Sequence, residues 1–182
     1  MKKEVTPREG MRLINSGPVV MVSCGPVEKP NAITLAWSMN VSMDPPLVAV
    51  SIAPPRHSHE LIMETGIFCV NVPGSDQLDA VMYIGTHSGR NGDKFGPAGL
   101  TPVPAKTIPT CAIGECPGHI ECEVYSAVTA GDHTIFVGRI NTAFVEEDLF
   151  AVKKWILSAE HGRTLHHLGD NSFGALERII KS

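Results

Sequence analysis

The feature that most constrains the fold of this chain is a succession of short apolar runs separated by prolines and glycines. Most runs are rich in β-branched residues, and the prolines and glycines between them stop strand pairing and force turns. The predicted strands are residues 18–24, 31–37, 47–53, 67–72, 120–125 and 133–145. The turn at Asp44-Pro45-Pro46 predicts that residues 31–37 pair with residues 47–53. Six or more strands with few long helices predict a mainly β chain, folded as an antiparallel β-barrel.

A doubly wound nucleotide-binding domain is not expected. Such a domain needs regular β-α-β alternation, which the order of the predicted elements lacks. No Gly-x-Gly-x-x-Gly motif follows a predicted strand either. The 182 residues therefore predict one domain over 1–182, with a core at about 18–145 and a C-terminal segment at 146–182.

A few short helices are predicted at the periphery of the sheet. The first begins at Ser58, a candidate N-cap, and stops at Gly66. The second is capped by Ser75 and closed by Gly85. The third opens at Glu146, with acidic residues near its positive end. Its apolar face would comprise Leu149, Val152, Trp155 and Ile156.

Two positions leave alternatives open. Residues 87–108 lack periodicity and predict a long irregular loop, which in a compact domain is usually functional or mobile. Phe95 in this loop either covers a ligand or pins the loop to the core. Gly138 interrupts the last strand and marks either a bulge or a close backbone approach.

Composition and charge exclude several functional classes. A formal net charge of −4 and a pI near 6.0 argue against nucleic acid as the main partner. No apolar run reaches the roughly 18–20 residues that a membrane span needs, and the N-terminus lacks the apolar core of a signal peptide. The five cysteines are odd in number and scattered, which predicts free thiols in a reduced compartment. A cytoplasmic location is therefore expected.

A candidate phosphate site follows the 47–53 strand. Arg56 and Ser58 come directly after a double proline and at a helix entry, where a guanidinium and a hydroxyl suit a phosphate. The preceding strand offers side chains that could line a flat polar ligand, namely Thr34, Trp37, Ser38 and Asn40. The alternatives are a solvated Arg56 and a Trp37 that belongs to the core.

No metal site is predicted. Cys111, Cys116, His119 and Cys122 lie within twelve positions, but Cys122 falls on an alternating strand and no Cys-x-x-Cys pair is present. Of the adjacent pair His166 and His167, one is expected to face a pocket, because neighbours on a strand point to opposite faces.

His133 is the histidine with the strongest claim to a functional role. It follows Gly131-Asp132 at the start of a strand, and the alternative is a solvated turn histidine. No serine or cysteine has a recognisable base near it in the sequence, so nucleophilic catalysis is not predicted.

An ordered set of motifs over about residues 18–140 resembles the flavin reductase-like, FMN-binding split-barrel family, and in particular its flavoredoxin-like branch. The matching pieces are Asn31-Ala-Ile-Thr-Leu-Ala-Trp37, Asp44-Pro45-Pro46, Val48-Ala-Val-Ser51, Arg56, Phe68-Cys-Val-Asn-Val72, Ser88-Gly89, Asp93-Lys94-Phe95, Ile120-Glu-Cys122 and Gly131-Asp-His133. The tail segment His167-Leu-Gly169 is also similar, although Asp170 stands where a second glycine is usual.

The resemblance implies an antiparallel Greek-key split barrel that forms a homodimer, with one non-covalent FMN per subunit near the interface. The C-terminal segment would then pack on the barrel or on the dimer partner. Carried over position by position, the residues along the ring and ribityl chain would be Thr34, Ala36, Trp37, Ser38 and Met39, and Asn31 would also bind the cofactor. Those at the ribityl–phosphate end would be Ser51, Ile52, Arg56 and Ser58. Lys94 and Phe95 would close the pocket, and His133 would face the reactive side of the flavin.

Three functions remain open at this point. The first is an NAD(P)H-dependent flavin reductase, with NADH or NADPH as electron donor. The second is a flavoredoxin-like electron carrier whose bound FMN exchanges electrons with a redox protein. The third is a split barrel that holds another ligand without turnover. A flavin supplies its own redox chemistry, which agrees with a sequence that predicts neither a nucleophile nor a metal.

Overall fold

The computed structural model describes residues 2–14, 17–152, 154–157 and 160–180. The strands are β1 (Val20–Cys24), β2 (Asn31–Leu35), β3 (Ser38–Met43), β4 (Pro46–Ile52), β5 (Ile67–Val72), β6 (Pro102–Pro104), β7 (Cys111–Ile113), β8 (Gly118–Ala130), β9 (His133–Val145), β10 (Phe150–Ala151), β11 (Lys154–Trp155), β12 (Leu165–Gly169) and β13 (Ser172–Ala175). The helices are α1 (Pro7–Gly10), α2 (His57–Thr65) and α3 (Leu78–Thr86). Single 3-10 turns lie at Met11–Ile14, Ser75–Gln77, Gly89–Asn91, Glu147–Leu149 and Glu160–Gly162.

Seven strands form one antiparallel sheet in the order β2-β1-β5-β8-β9-β4-β3. Strands β2 and β3 lie at opposite edges of this sheet, yet only residues 36 and 37 separate them in the chain. The sheet must therefore curl until its two edges meet. The backbone N–H of Ser51 donates to the carbonyl of Trp37 over 3.0 Å, which extends the β3–β4 pairing into the two residues that join the edge strands. The predicted mainly β, antiparallel barrel with a few short peripheral helices is confirmed.

Strand β3 corrects the predicted pairing of residues 31–37 with residues 47–53. The turn at Asp44-Pro45 joins β4 to β3, not to β2, and β3 pairs with β4 from Ser38 opposite Val50 to Met43 opposite Pro46. Strand β3 carries mostly exposed side chains, so it lacks the apolar run that identifies a buried strand. Strand β2 instead pairs with β1.

The long hairpin β8–β9 forms one side of the barrel. Its second strand, His133–Val145, has the predicted bounds, and the turn before it uses Gly131 at φ 63°. Gly138 marks a close approach: a Cβ at this position would overlap the ring of Phe68, which fills the barrel interior. The register shifts of this hairpin lie on either side of Cys122–Val124 in β8, so Gly138 itself is not the bulge.

The helices differ from the prediction mainly at their starts. Arg56, and not Ser58, is the N-cap residue of α2, while Gly66 ends the helix in the left-handed conformation as predicted. Ser75 begins a 3-10 turn ahead of α3 and donates its hydroxyl hydrogen to the carbonyl of Glu160. Helix α3 runs through Gly85 and ends at Thr86.

The helix predicted from Glu146 onwards is wrong. A 3-10 turn is followed by the small β10–β11 hairpin, with residue 153 outside the described residues. Leu149 is buried beside Gly162, and the indole of Trp155 packs on Gly118 and donates to the carbonyl of Gly162. These contacts with distant parts of the chain outweigh a helical spacing of four apolar residues.

The C-terminal hairpin β12–β13 lies against the start of β1. The backbone N–H of Val19 donates to the carbonyl of Leu165 over 2.8 Å, and Pro18 forms an isolated bridge with His166. Asp170, in the turn of this hairpin, has φ 48°, a left-handed conformation that aspartate tolerates better than most residues. The hairpin therefore has the turn geometry that a glycine usually supplies.

The interior is apolar and contains reduced cysteines. The barrel interior is filled by Val20, Val22, Cys24, Val48, Val50, Ile52, Ile62, Phe68, Val70, Cys122 and Phe136. All five cysteines are free and buried, as predicted, and burial raises the pKa of the Cys24 thiol to about 11. No helix among the described residues has both the length and the apolar character of a membrane span.

Candidate functional site

The largest relevant cavity, of about 840 Å³, lies where β2 crosses to β3 and where β4 ends. Residues from six parts of the chain enclose it, and the curling of the sheet brings these parts together. The lining residues are Arg8, Met11, Arg12, Ile33, Thr34, Leu35, Ala36, Trp37, Ser51, Ile52, Ala53, Arg56, Gly85, Asp132, His133 and His167. We call it the central cavity. Among these described residues the charged ones are three arginines and one aspartate, so the wall carries a positive balance.

A smaller polar pocket of about 110 Å³ adjoins the central cavity, with which it shares Ile33, Arg56 and Gly85. It lies between the N-terminus of α2 and the chain that follows α3. The other lining residues are Asn31, Pro55, His57, Ser58, Ile84, Thr86, His87, Ser88, Gly89 and Lys94. Two cationic side chains and the amide groups at a helix N-terminus suit an anionic group in this polar pocket.

Asn31 carries an unsatisfied polar atom into the polar pocket. Its side chain is 4% exposed, and its Nδ2 donates to Ser58 Oγ over 2.7 Å. Its Oδ1 is buried without a hydrogen-bond partner, which is costly unless a ligand supplies one. Gly89 lets the chain after α3 pack closely on this oxygen, because a Cβ at position 89 would overlap it. The site is thus built around a group that the protein itself does not satisfy.

Lys94 reaches the polar pocket from the long loop. The side chain is 5% exposed, and its Nζ donates to the carbonyl of Ala32 over 2.6 Å. Burial lowers the pKa of Lys94 to about 8, with a smaller downward contribution from the charge of Arg56. A buried ammonium of this kind is stabilised by an anion, so an anionic ligand would raise the pKa of Lys94 again.

Arg56 stands at the junction of the two spaces. As the N-cap residue of α2 it has extended backbone angles, which direct the chain out of the barrel before the helix begins. Its guanidinium takes part in no side-chain hydrogen bond or ion pair with another described residue, although it lines both the central cavity and the polar pocket. It is therefore available to an anion that occupies both.

His133 lines the central cavity but not the polar pocket. Its Nδ1 is 2.7 Å from Asp132 Oδ1, and its ring centroid is 4.8 Å from that of Trp37. The hydrogen bond with His133 is the main reason why the pKa of Asp132 is lowered. Trp37 is 43% exposed, which is unusual for so large an apolar side chain and places it at the mouth of the cavity. His133 is thus held between a carboxylate and an indole.

An apolar pocket of about 350 Å³ continues from the central cavity along the β3 edge. The two share Met11, Ala36, Trp37 and Ser51. The remaining lining residues are Ile14, Gly17, Ser38, Met39, Ala49, Val50 and Ile135. Ser38 and Met39 therefore belong to the same composite site as the other residues of the 31–39 stretch.

The structure brings twelve of the thirteen predicted site residues together, and their roles towards a ligand stay predictions. The twelve are Asn31, Thr34, Ala36, Trp37, Ser38, Met39, Ser51, Ile52, Arg56, Ser58, Lys94 and His133. The hydroxyl of Thr34 donates to the carbonyl of Val81 over 2.6 Å, so this hydroxyl hydrogen is already used by the protein. Ser58 is buried, accepts a hydrogen bond from Asn31 Nδ2 and is not a helix cap.

Phe95 is a correction to the predicted site. Its side chain is 2% exposed and packs in a second apolar cluster with Val19, Met21 and Val81. It therefore pins the long loop to the core, which positions its neighbour Lys94, and lines none of the three spaces described above.

Sequence reasoning missed several lining residues. Arg8, Met11 and Arg12 come from the N-terminal segment, whose local pattern says nothing about where it folds. Arg12 lies close to the turn of the C-terminal hairpin, since its Nη1 would be 3.9 Å from a Cβ at Gly169. His167 lines the central cavity, which agrees with the expectation that one residue of the histidine pair faces a pocket.

The cysteine–histidine group of residues 111–122 is dispersed. Cys111, Cys116 and Cys122 are buried in apolar clusters, and His119 Nδ1 is 3.0 Å from Asn71 Oδ1. Among the described residues no cluster of three or more His, Cys, Asp or Glu has the arrangement of a metal site.

Comparison with known proteins gives a consistent family. The sequence model of the "Flavin reductase like domain" matches residues 11–162. The flavoredoxin of Desulfovibrio vulgaris (Miyazaki F) superposes with a TM-score of 0.88 at 26% identity, over 100% of this chain and 97% of that one. An FMN-binding protein from Thermus thermophilus, solved with 1-cyclohex-2-enone, gives 0.86 at 27% identity, over 100% and 99%. A "Flavin reductase (NADH)" of Kitasatospora aureofaciens is 30% identical over 131 residues, 71% of this chain and 66% of that protein.

Proposed function

Because the chain belongs to the flavin reductase-like family, in its flavoredoxin branch, we propose that it binds FMN and accepts electrons from NADH or NADPH. The product of this reaction would be reduced flavin, which passes its electrons to an acceptor. The proposal rests on a single observation above the others: the buried, unsatisfied Asn31 Oδ1 lies in a cationic pocket beside a cavity large enough for a ring system.

The residues present fit an FMN. The polar pocket would take the phosphate, with Arg56 and Lys94 as charged donors and the α2 N-terminus behind them. Asn31 Oδ1 would accept a hydroxyl hydrogen of the ribityl chain. The flat ring would lie in the central cavity along Thr34, Ala36 and Trp37, with Ser51 and Ile52 across from them.

The chemistry assigned to the protein is positioning and electrostatics. A bound flavin supplies the redox step, since it can take a hydride from a reduced nicotinamide. Asp132 holds the imidazole of His133 in place through their 2.7 Å hydrogen bond. His133 and Trp37 together form a polar and aromatic wall at the mouth of the cavity, against which a nicotinamide ring can rest.

The N-terminal segment supplies positive charge that would attract an anionic electron donor. Arg8 and Arg12 are exposed and line the same cavity as His133. The phosphates of NADH or NADPH are anionic, so these two guanidinium groups favour their approach. The volume of about 840 Å³ lies towards the upper end of ligand sites, which supports two ligands rather than one.

An electron carrier of the flavoredoxin type is the alternative function. It is supported by the superposition of the whole chain on a flavoredoxin and by the open position of Trp37 at the cavity mouth. In that case a redox protein, and not a nicotinamide, would deliver the electrons. Both alternatives require the same FMN site and differ only in the donor.

The expected assembly is a cytoplasmic homodimer. The edge strand β3 exposes three large apolar side chains, Met39, Val41 and Met43, of which Met43 is 96% exposed. A second copy of the chain that covers this edge would remove them from water and protect the strand from other pairing. The five free thiols agree with a reducing compartment.

Titration of the flavin-free protein with FMN tests the proposed site. Quenching of flavin fluorescence is expected to saturate at one FMN per chain, because each chain carries one polar pocket with the Arg56–Lys94 pair. A protein that does not retain FMN at micromolar concentrations would overturn the proposal. The same titration with riboflavin, which lacks the phosphate, is the matched control and should show weaker binding.

Replacing His133 with alanine should leave FMN affinity within about twofold but slow flavin reduction by NADH on the order of tenfold, since misplacement of a donor ring is costly. The reason is that His133 contacts the mouth of the cavity and not the polar pocket. Stopped-flow measurement of flavin bleaching gives the rate. Asp132→Asn, which keeps the imidazole but weakens its anchor, should slow the reaction less. An unaltered rate in His133→Ala would make it a plain turn residue.

A further inference from the structure

We propose that Arg90 makes this site selective for FMN over FAD, because it ties together two segments that line the polar pocket. The inference rests on the proposed function, since it concerns which flavin the site accepts. It assigns a role to a residue that lines neither the polar pocket nor the central cavity.

Arg90 bridges two parts of the chain that are far apart in sequence. It belongs to the 3-10 turn Gly89–Asn91, which follows α3. Its Nη1 donates to the carbonyl of Pro55 over 2.9 Å, and its Nη2 donates to Glu60 Oε2 over 2.9 Å. Pro55 and Glu60 lie just before and within α2. The guanidinium therefore fastens the turn after α3 to the entry of α2.

The same two segments form the walls of the polar pocket. Pro55, Arg56 and His57 line one side, and Ser88 and Gly89 line the other. Besides its bond to Arg90, Glu60 makes a contact within α2, since its Oε2 is also 3.3 Å from His57 Nδ1. Hydrogen bonds from His57 and Arg90 lower the pKa of Glu60, because they stabilise its ionised form.

The size of the polar pocket decides between the two flavins. A volume of about 110 Å³ holds a phosphate, whereas a site for a group as large as an adenylate needs several hundred Å³. FAD carries an adenylate on the phosphate, at the end of the ligand that faces away from the ring. With the phosphate in the polar pocket, an adenylate extended away from the ring would pass between the entry of α2 and the turn after α3, which are the two segments that Arg90 joins.

Arg90 is not itself a phosphate ligand in this arrangement. It does not line the polar pocket, and one N–H of each terminal nitrogen donates to a protein acceptor. The arginine that remains unpaired beside the polar pocket is Arg56. The two arginines therefore have separate effects: Arg56 contributes affinity for any flavin phosphate, and Arg90 contributes discrimination against the larger flavin.

Equilibrium binding of FMN and FAD to the flavin-free full chain tests this inference by fluorescence quenching, without any measurement of activity. The wild-type protein should bind FAD at least about tenfold more weakly than FMN. Arg90→Ala should reduce this ratio about fivefold, through tighter FAD binding with FMN affinity unchanged within about twofold. Arg90→Lys keeps the charge but cannot reach both acceptors, so it should give an intermediate ratio.

Arg139→Ala is the matched control, because Arg139 is exposed and lies over Tyr125, away from the polar pocket. It should leave the ratio unchanged. Thermal unfolding of each variant shows that it is folded, and Glu60→Gln, which spares the bond to Pro55, is the milder second variant. The inference is overturned if the wild-type protein binds FMN and FAD equally. It is also overturned if Arg90→Ala leaves the ratio of the two affinities unchanged, or changes it only through the affinity for FMN. A chain that binds neither flavin overturns the proposed function as well.

Discussion

Arg56→Ala is expected to weaken FMN binding by about 1.5–3 kcal/mol, or roughly 10- to 150-fold in Kd, the range for a hydrogen bond to a charged group. Arg56 lines both the central cavity and the polar pocket, and no side-chain bond to another described residue competes for it. Its loss removes a cation from the phosphate without unpairing a protein group. Stability should therefore change little, and titration with FMN measures the affinity.

Two controls separate a phosphate contact from a general effect. Affinity for riboflavin, which has no phosphate, should be the same in Arg56→Ala and in the wild type. Arg56→Lys should recover part of the FMN affinity, since an ammonium offers charge but not a planar fork. An FMN affinity that is unchanged in Arg56→Ala would remove this residue from the phosphate site.

Lys94→Met is expected to weaken FMN binding while it stabilises the flavin-free protein. The substitution should weaken FMN binding about tenfold or more, because it removes a buried charge that faces the phosphate. In the flavin-free protein at pH 7 it should raise the midpoint of thermal unfolding. The folded protein has to bury the ammonium of Lys94, and the wild type carries this cost while its pocket lacks an anion.

The pH dependence follows from the direction of the shift. Burial lowers the pKa of Lys94 from 10.5 to about 8, so between these values the unfolded chain binds more protons than the folded one. The stability of the flavin-free wild type should therefore contain a component that rises with pH from about 8 to 10.5 and is absent in Lys94→Met. A bound phosphate raises the pKa of Lys94, so FMN affinity should fall as the pH increases above about 8.

Lys29→Met is the matched control for Lys94→Met, since Lys29 is exposed in the turn between β1 and β2. It should change neither FMN affinity nor its pH dependence. If Lys94→Met binds FMN as tightly as the wild type between pH 7 and pH 9, Lys94 does not contact the phosphate. If the variant is instead less stable at pH 7, the bond to the carbonyl of Ala32 outweighs the cost of the buried charge.

The buried strands could be predicted from the sequence because local signals and tertiary burial agree there. Every residue of β1 is buried, so its apolar run is continuous, and Gly131 supplies the turn that the β8–β9 hairpin needs. Strand β3 could not be predicted in this way, since its exposed side chains show no apolar run. The false helix at 146–156 has the opposite cause: Leu149 and Trp155 have helical spacing but pack on distant glycines.

The candidate site was predictable where its residues lie close in sequence. The 31–39 stretch and the Arg56–Ser58 entry of α2 both carry polar side chains beside turn signals. The N-terminal arginines were not, because only the folded chain brings them to the cavity, and for His166 and His167 the sequence predicts only that one of the two faces a pocket. The role of Phe95 could not be predicted from the sequence, because a large apolar side chain in a polar loop can equally cover a ligand or anchor the loop to the core. Its burial in the folded chain shows that it anchors the loop.

The most direct test of the central claim is the absorption spectrum of the protein loaded with FMN and freed of excess flavin, followed by anaerobic addition of NADH or NADPH. We expect a flavin spectrum at one FMN per chain that bleaches within seconds of adding the nicotinamide. A spectrum that persists with both nicotinamides but bleaches with a chemical reductant would favour the electron carrier. A protein that retains no flavin would contradict the central claim.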